Sequence, residues 1–327
     1  MGASVVVTGA NRGIGLETAL VLASAGYDVI GTARSKDRAE ALLDAAEARG
    51  LALRTVLLDV ADAASTERGF AEIAELTGGG PWAVVNNAGF AQAGAIEDVG
   101  DAAVRHQLEV NLVAPARISR LVLPAMRERG EGRIVNMSSI AGRMSLPLMG
   151  WYCAAKHGLE AMTDAMRMEE ARYGVKVVLI EPGSFATGIW GGAHYPDLAA
   201  TSEYSAAYEQ ARTGTARLTP FMPGPSWVAR TVWLALASPL PLARYLVGVD
   251  AVGGVVAELL VPTTISDVVK EVVAGVRRPF RRHVHADPES PDEERGTGDD
   301  PGTGRDEQHP ASVPEAALLL GGGERDQ

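Results

Sequence analysis

Tyr152 and Lys156 stand four residues apart in the run Tyr-Cys-Ala-Ala-Lys. On a helix that spacing puts both side chains on one face. A free phenol, with a pKa of about 10, is a poor proton shuttle at neutral pH. An ammonium beside it favours the phenolate and lowers that pKa, giving a group able to trade a proton with an alcohol or carbonyl oxygen. Alone, a Tyr-x-x-x-Lys pair is usually a surface pairing, so its meaning rests on what else the chain carries.

A second cluster lies at the start of the chain, Thr8-Gly-Ala-Asn-Arg-Gly-Ile-Gly15. It joins a short apolar run, Ala3–Thr8, to a helical segment, Gly13–Ala25. Gly9, Gly13 and Gly15, with Asn11, Arg12 and Ile14 between them, let the backbone turn sharply and approach a pyrophosphate. The anion then sits on exposed N–H groups at the positive end of the helix. The second apolar run, Asp28–Thr32, leads into Ala33-Arg34-Ser35, where the adenosine ribose of a dinucleotide is expected. A binder of NAD(H) wants a carboxylate there for the 2′-hydroxyl. Arg34 and Ser35 instead offer a guanidinium and a hydroxyl, which suit a 2′-phosphate. The reading is NADP(H) in preference to NAD(H).

The TGxxxGxG spacing is followed in order by Asp59-Val60, Asn86-Asn87-Ala88-Gly89, Asn111, Ser139, the Tyr152/Lys156 pair and Pro182-Gly183 with Thr187. This series resembles the short-chain dehydrogenase/reductase family. The segments Gly174–Gly183, Arg244–Gly248 and Ala251–Thr264 resemble its retinol and 17β-hydroxysteroid dehydrogenase branch. The resemblance implies a catalytic set of Asn111, Ser139, Tyr152 and Lys156. In it Ser139, 13 residues before Tyr152, hydrogen-bonds the substrate oxygen, and Asn111 holds a water that relays protons past the lysine. Lys156 also holds the nicotinamide ribose. Arg12 is a second cation for the 2′-phosphate, Asp59 and Val60 meet the adenine, and Asn87, Ala88 and Gly89 line the cofactor pocket. Pro182, Gly183 and Thr187 meet the nicotinamide carboxamide. Ala155, where many members carry serine, puts none of this in doubt. The implied reaction moves a hydride between the nicotinamide and a ketone, aldehyde or alcohol, hydrophobic if the branch is a guide, with Tyr152 as acid/base.

These residues need a scaffold. Further apolar runs at Ala52–Leu58, Trp82–Asn86, Gly132–Met137, Val175–Ile180 and near Arg244–Gly248 read as buried parallel strands, apolar throughout rather than alternating. Helical segments at Lys36–Arg49, Ala64–Leu76, Asp101–Arg129 and Trp151–Tyr173 separate the earlier ones. The alternation predicts an α/β fold, a single Rossmann-type doubly wound parallel sheet with flanking helices and a small C-terminal helical extension at about 251–275. One domain over 1–279 is expected, with a substrate lid at about 188–225 where regularity fails and Trp190, Tyr195, Tyr204, Tyr208 and Phe221 gather. Met144, Leu146 and Met149 are expected to join that lid in setting specificity.

Net charge is −11, but residues 286–327 hold 12 acidic and 3 basic side chains, so residues 1–285 are close to neutral. The stretch 280–327 reads as a disordered acidic tail. No basic stripe suggests nucleic acid. No apolar run reaches the roughly 20 residues of a membrane span, and the N-terminus does not read as a signal peptide. One cysteine, Cys153, excludes an intrachain disulfide and fits a reducing cytoplasm, and none of the six histidines has ligand spacing, so no metal is expected. The family resemblance implies a homodimer or homotetramer through the segments around Asp101–Arg129 and Trp151–Tyr173. Two rivals stand beside the enzyme reading. A nucleotide-sugar epimerase or dehydratase is disfavoured by the glycine spacing, and a non-catalytic NADP(H) sensor or interaction protein is disfavoured by the intact set of four.

Overall fold

The structure, a computed structural model, describes residues 2–187 and 201–277. Seven parallel strands are laid down as β1 (Ser4–Val7), β2 (Asp28–Ala33), β3 (Arg54–Leu57), β4 (Ala83–Asn86), β5 (Gly132–Met137), β6 (Val175–Pro182) and β7 (Arg244–Val247). Their order across the sheet is β3-β2-β1-β4-β5-β6-β7, so the chain steps outward one way from β1 and then, from β4, the other. That reversal opens a crevice beyond the carboxyl ends of β1 and β4, where open α/β sheets bind ligands.

Each inner strand is buried on both faces. In β1, Val5 and Val7 join the core on one side and Val6 the core on the other. The first layer is completed by α1 (Gly13–Ser24), α2 (Lys36–Glu47) and a helix late in the chain, α8 (Ser226–Ala237), through Ala19, Leu22, Leu42, Val228 and Val232. The second layer contains α3 (Ala63–Thr77), α5 (Ala114–Arg129) and α6 (Gly150–Glu170), through Ile73, Ile118, Met126 and Met166. All these side chains belong to the compact unit Met1–Pro279.

Three differences from the sequence reading have local causes. The single helix expected over Asp101–Arg129 is α4 (Asp101–Leu108) and α5 joined by a π-helical turn, Glu109–Val113. Asn111 explains the turn: its side-chain amide donates to the Gln107 carbonyl at 3.1 Å, four residues back, which is the acceptor its own backbone would use. The ladder then shifts, and the Ala114 N–H reaches the Glu109 carbonyl instead. Ser205–Leu218 forms a helix, α7, inside the stretch read as irregular. Only Ala207 and Tyr208 of it are buried, so the apolar period that signals a helix is nearly absent. Thirdly, α8 went unread; the remaining described helices, α9 (Val249–Leu260) and α10 (Thr263–Val273), fall where the extension was expected. Trp190, Tyr195 and the acidic tail lie outside the described residues. Among the described residues no helix is long and apolar enough to cross a membrane.

A buried polar ladder ties α6 to the sheet. The Asn86 amide on β4 donates to the Asn136 side-chain oxygen on β5 at 2.8 Å, and the Asn136 amide donates to Thr163 on α6 at 2.9 Å. Replacing Asn136 with Ala leaves two partners unsatisfied in a dry core, an expected loss of about 2–4 kcal/mol. Urea unfolding of Asn136→Ala should show a lowered midpoint with an unchanged slope.

Candidate active site

The turn after β1 is held from the side by the turn after β4. The Thr8 hydroxyl donates weakly to the Val85 carbonyl at 3.4 Å and accepts from the backbone N–H groups of Asn87 and Ala88, at 3.0 and 2.9 Å. The Asn87 amide donates back to the Thr8 carbonyl at 2.9 Å. Gly9 and Gly13 have φ of +64° and +55°, a region that disfavours side chains. At Gly15 a Cβ would stand 2.4 Å from both the Asn87 amide nitrogen and the Gly9 carbonyl oxygen, so only glycine lets the two turns close. The result is a cradle of backbone at the start of α1, with no acidic residue in that helix's first turn.

This cradle opens into a cavity of about 510 Å³ whose wall includes Gly9, Asn11, Arg12, Gly13, Ile14, Gly15, Arg34, Asp59, Val60, Asn87, Ala88, Gly89, Pro182, Gly183 and Thr187. Asn111, Ser139, Tyr152 and Lys156 line the same space. Ser35, expected beside Arg34, is not on that wall; it stands exposed as the N-cap of α2. One helical turn further, the wall gains Arg38, which the sequence reading missed because nothing in an exposed helical arginine marks it as facing a cavity. Arg12, Arg34 and Arg38 are all exposed, and Asp59 is the sole carboxylate on the wall among the described residues. The cavity suits a dinucleotide: a positive φ glycine cradle at one end of a helix, and a cationic mouth without a carboxylate at β2.

At the other end, Tyr152 and Lys156 project from the first turns of α6, both about 95% buried. The Lys156 ammonium donates to the Met137 carbonyl at 2.7 Å, at the end of β5, and lies 5.7 Å from the centre of the Tyr152 ring. Of the two adjacent serines, Ser139 is the one whose side chain acts on the Tyr152 phenol, favouring its ionised form. Ser138 is buried against Gly142, where a Cβ would come within 2.7 Å of its hydroxyl. Asn111 donates to the Phe90 carbonyl at 3.0 Å, while its buried Oδ1 has no hydrogen-bond partner among the described residues. That oxygen would sit 2.7 Å from a Cβ at Gly89. Phe90, Gln92 and His106 also line the cavity and were not singled out from sequence, since each sits in a stretch without a spaced pattern.

Burial moves the two central groups in opposite directions. The Tyr152 phenol is pushed up to about 12 by loss of water, with the Ser139 hydrogen bond opposing. The Lys156 ammonium is pushed down to about 8 by the same cause, opposed by the carboxylate of Glu160. The expectation that Lys156 would lower the tyrosine's pKa is therefore not met in this structure: desolvation dominates, and Ser139 rather than the lysine opposes it. The phenol is protonated at neutral pH, which is the form a proton donor needs.

The turn after β6 is anchored by a residue that sequence did not mark. Asp250, at the start of α9, accepts from the Ser184 N–H at 2.6 Å. A Cβ at Gly183 would be 2.3 Å from its carboxylate, so glycine is required for that approach. No group of three or more histidine, cysteine or acidic side chains able to hold a metal occurs among the described residues.

Residues 3–194 match the profile of the short chain dehydrogenase family. An uncharacterized oxidoreductase of Escherichia coli K12, YbbO, is 38% identical over 184 residues, 56% of this chain and 66% of that protein, just under two thirds of its length. The NADPH-dependent 3-dehydrocapnine reductase of Ornithobacterium rhinotracheale is 32% identical over 272 residues, covering 80% of this chain and 94% of the reductase. The crystal structure of a short-chain dehydrogenase from Streptomyces avermitilis superposes with a TM-score of 0.70 at 33% identity, covering 84% of this chain and 97% of that one.

Holding an ammonium out of water has a cost in stability. The Lys156 pKa is lowered on folding from 10.5 to about 8, so the folded chain binds fewer protons between those values and gains stability as pH rises through them. Lys156→Met should therefore be more stable than the parent at pH 7, by roughly 1–2 kcal/mol after the lost hydrogen bond is counted. The advantage should shrink toward pH 10, which thermal melts across that range would measure. By fold, profile and superposition, the chain belongs to the short-chain dehydrogenase family.

Proposed function

We propose that this chain is an NADP(H)-dependent carbonyl reductase and secondary-alcohol dehydrogenase with Tyr152 as its acid/base group. The observation that carries the reading is convergence: Asn111, Ser139, Tyr152 and Lys156 line the same cavity as the glycine cradle of β1 and α1. A dinucleotide bound there supplies or accepts the hydride at its nicotinamide. The protein does the rest. The Ser139 and Tyr152 hydroxyls hold the substrate's carbonyl oxygen, and Tyr152 releases its proton to that oxygen as the alcohol forms. Lys156 retains charge close to the phenol and offers N–H donors beside it. Asn111, with its unpartnered Oδ1, is placed to hold a water on the far side. In the oxidising direction the same phenol takes the proton back.

Preference for NADP(H) rests on charge at the mouth of the cavity, where Arg34 and Arg38 stand and no acidic side chain follows β2 on the wall. The NADPH-dependent reductase of Ornithobacterium rhinotracheale, matched over 94% of its length, supports the same choice. An apolar substrate is supported by a separate hollow of about 390 Å³ lined by Ala95, Ile96, Pro147, Leu148, Tyr204 and Val276, with Glu97 its one charged residue. Leu148 and Pro147 belong to the turn that leads into α6 and Tyr152.

Two variants test the two halves of this reading. Tyr152→Phe should lower kcat with NADPH and an apolar ketone by a factor of about 10²–10⁴. NADPH affinity, followed by its fluorescence, should stay within about threefold, under 1 kcal/mol. A non-catalytic NADP(H) sensor would show no turnover to lose, and its cofactor response would survive the change. In the second, Arg34→Asp should reduce the preference for NADPH over NADH by at least about tenfold, or 1.4 kcal/mol. An unchanged ratio of kcat/KM for the two cofactors would remove Arg34 from the 2′-phosphate site.

A further inference from the structure

Behind the cavity, away from the residues given a role above, lies a cluster of six charged side chains from four elements. Glu160 is on α6 one turn past Lys156, Glu181 is the next-to-last residue of β6, and Arg244 opens β7. The Arg244 Nε lies 3.2 Å from a Glu160 carboxylate oxygen and 3.1 Å from one of Glu181. Its Nη2 pairs with Asp164, which also meets Arg167 at 2.7 Å. Arg143, from the turn that follows Ser139, stands 3.6 Å from Glu181. The Glu181 side chain is fully buried and that of Glu160 is 8% exposed. Glu160 Oε1 and both Glu181 carboxyl oxygens are buried without a hydrogen-bond partner among the described residues.

Two carboxylates sharing one guanidinium nitrogen in a dry interior repel unless one of them holds a proton. Glu181 is the one driven that way. Burial, then the neighbouring Glu160, push its carboxyl up to about 7, against the pull of Arg143 and Arg244. Glu160, held by Arg244, is the group that opposes the cost of burying the Lys156 ammonium. The cluster also touches the serine turn sterically: a Cβ at Gly142 would lie 3.0 Å from Glu160 Cγ and 2.7 Å from the Ser138 hydroxyl. On the other side, Glu181 directly precedes the Pro182-Gly183 turn, whose second residue packs on Asp250.

We propose that Glu160 and Glu181, bridged by Arg244, are a pair of positioning residues that hold Lys156 as an ammonium and register the serine turn against α6. The proposal rests on the reductase reading for its meaning, because it concerns the charge state of a residue placed in that chemistry. The pair touches neither substrate nor cofactor. The groups that face it are Lys156, Asp164 and Arg167 on α6, Arg143 on the serine turn and Arg244 on β7, with Asp250 of α9 beyond the β6 turn.

The alkaline limb of the kcat–pH profile distinguishes this role from a merely structural one. Glu160→Gln removes the counter-charge of Lys156 on its own helix, so the limb should move down by roughly one unit, tenfold in the proton equilibrium. Glu181→Gln removes a carboxyl that is itself ionised above about pH 7, so the same limb should move down by less. KM should change little in either. Limbs that stay in place in both variants, or that move up in either, would overturn the proposal. A second arm needs no variant and no substrate: NMR titration of the full-length protein carrying glutamate labelled with ¹³C at the carboxyl. One carboxyl carbon should titrate near pH 7 and vanish from the spectrum of Glu181→Gln. If every glutamate titrates below about pH 5.5, as ordinary carboxyls do, the pair is not shared and the idea is wrong. A protein without reductase activity would sink the reductase reading, while the titration would still decide the state of the pair.

Discussion

The constraint on which the site depends is the removal of a lysine ammonium from water. Two things offset the burial of Lys156: the Met137 carbonyl at the end of β5 as acceptor, and Glu160 one helical turn away as counter-charge. Each requires long-range order. The carbonyl is presented by a strand whose own hydrogen bonds are taken up by β4 and β6. The counter-charge is kept in place by Arg244, which arrives from the last strand of the sheet. A phenol in the same dry space is correspondingly hard to ionise, so protonated tyrosine and charged lysine are the favoured pair at neutral pH. Loss of water thus both costs stability and selects the protonation states that the proposed chemistry would use.

The parallel sheet turns that local requirement into a site. Every strand here delivers its carboxyl end to the same edge, and the reversal of strand order between β1 and β4 leaves room there. The glycine cradle, the Asn87-Ala88-Gly89 turn, Ser139 and the Pro182-Gly183 turn all follow strands directly, and each is fixed by a bond to its neighbour. Thr8 reaches Asn87 and Ala88, Ser138 reaches the Ile180 carbonyl, and Gly183 reaches Val247. The cavity is therefore assembled by adjacent strand ends rather than by one loop. Asn136, deep in the sheet, is tied both to Thr163 on α6 and to Asn86, the residue before the Asn87 turn.

Much of this was legible because the relevant information is short-range. Seven apolar runs became seven strands, and glycines at 9, 13 and 15 marked the cradle because spacing of glycine in a strand–helix turn has few other uses. Tyr152 and Lys156 could be placed on one face from their spacing alone. The π-helical turn at Asn111 was not legible, since a helix and a helix with a shifted ladder have nearly the same apolar period. Neither was α7, most of whose surface meets solvent. Arg38 was passed over for a similar reason: an arginine on an exposed helix face looks the same in sequence whether a cavity lies beside it or not.

Charge relations were the least legible of all, and the physical reason is distance along the chain. Glu160 and Arg244 are separated by 84 residues and Asp250 and Ser184 by 66, with no pattern in the sequence to pair them. The expected direction for the tyrosine failed on the same ground. Pairing Tyr152 with Lys156 counted one nearby charge, but the depth of burial, which no spacing reports, is what dominates both groups. In a site of this kind the residues proposed to react can be named from sequence, whereas the charged residues grouped behind them are found only once the sheet has brought β6, β7 and α6 together. In the proposed arrangement Lys156 and the carboxyl pair behind it act as one electrostatic unit, because Glu160 lies on the same helical face as Lys156 and on the same guanidinium as Glu181.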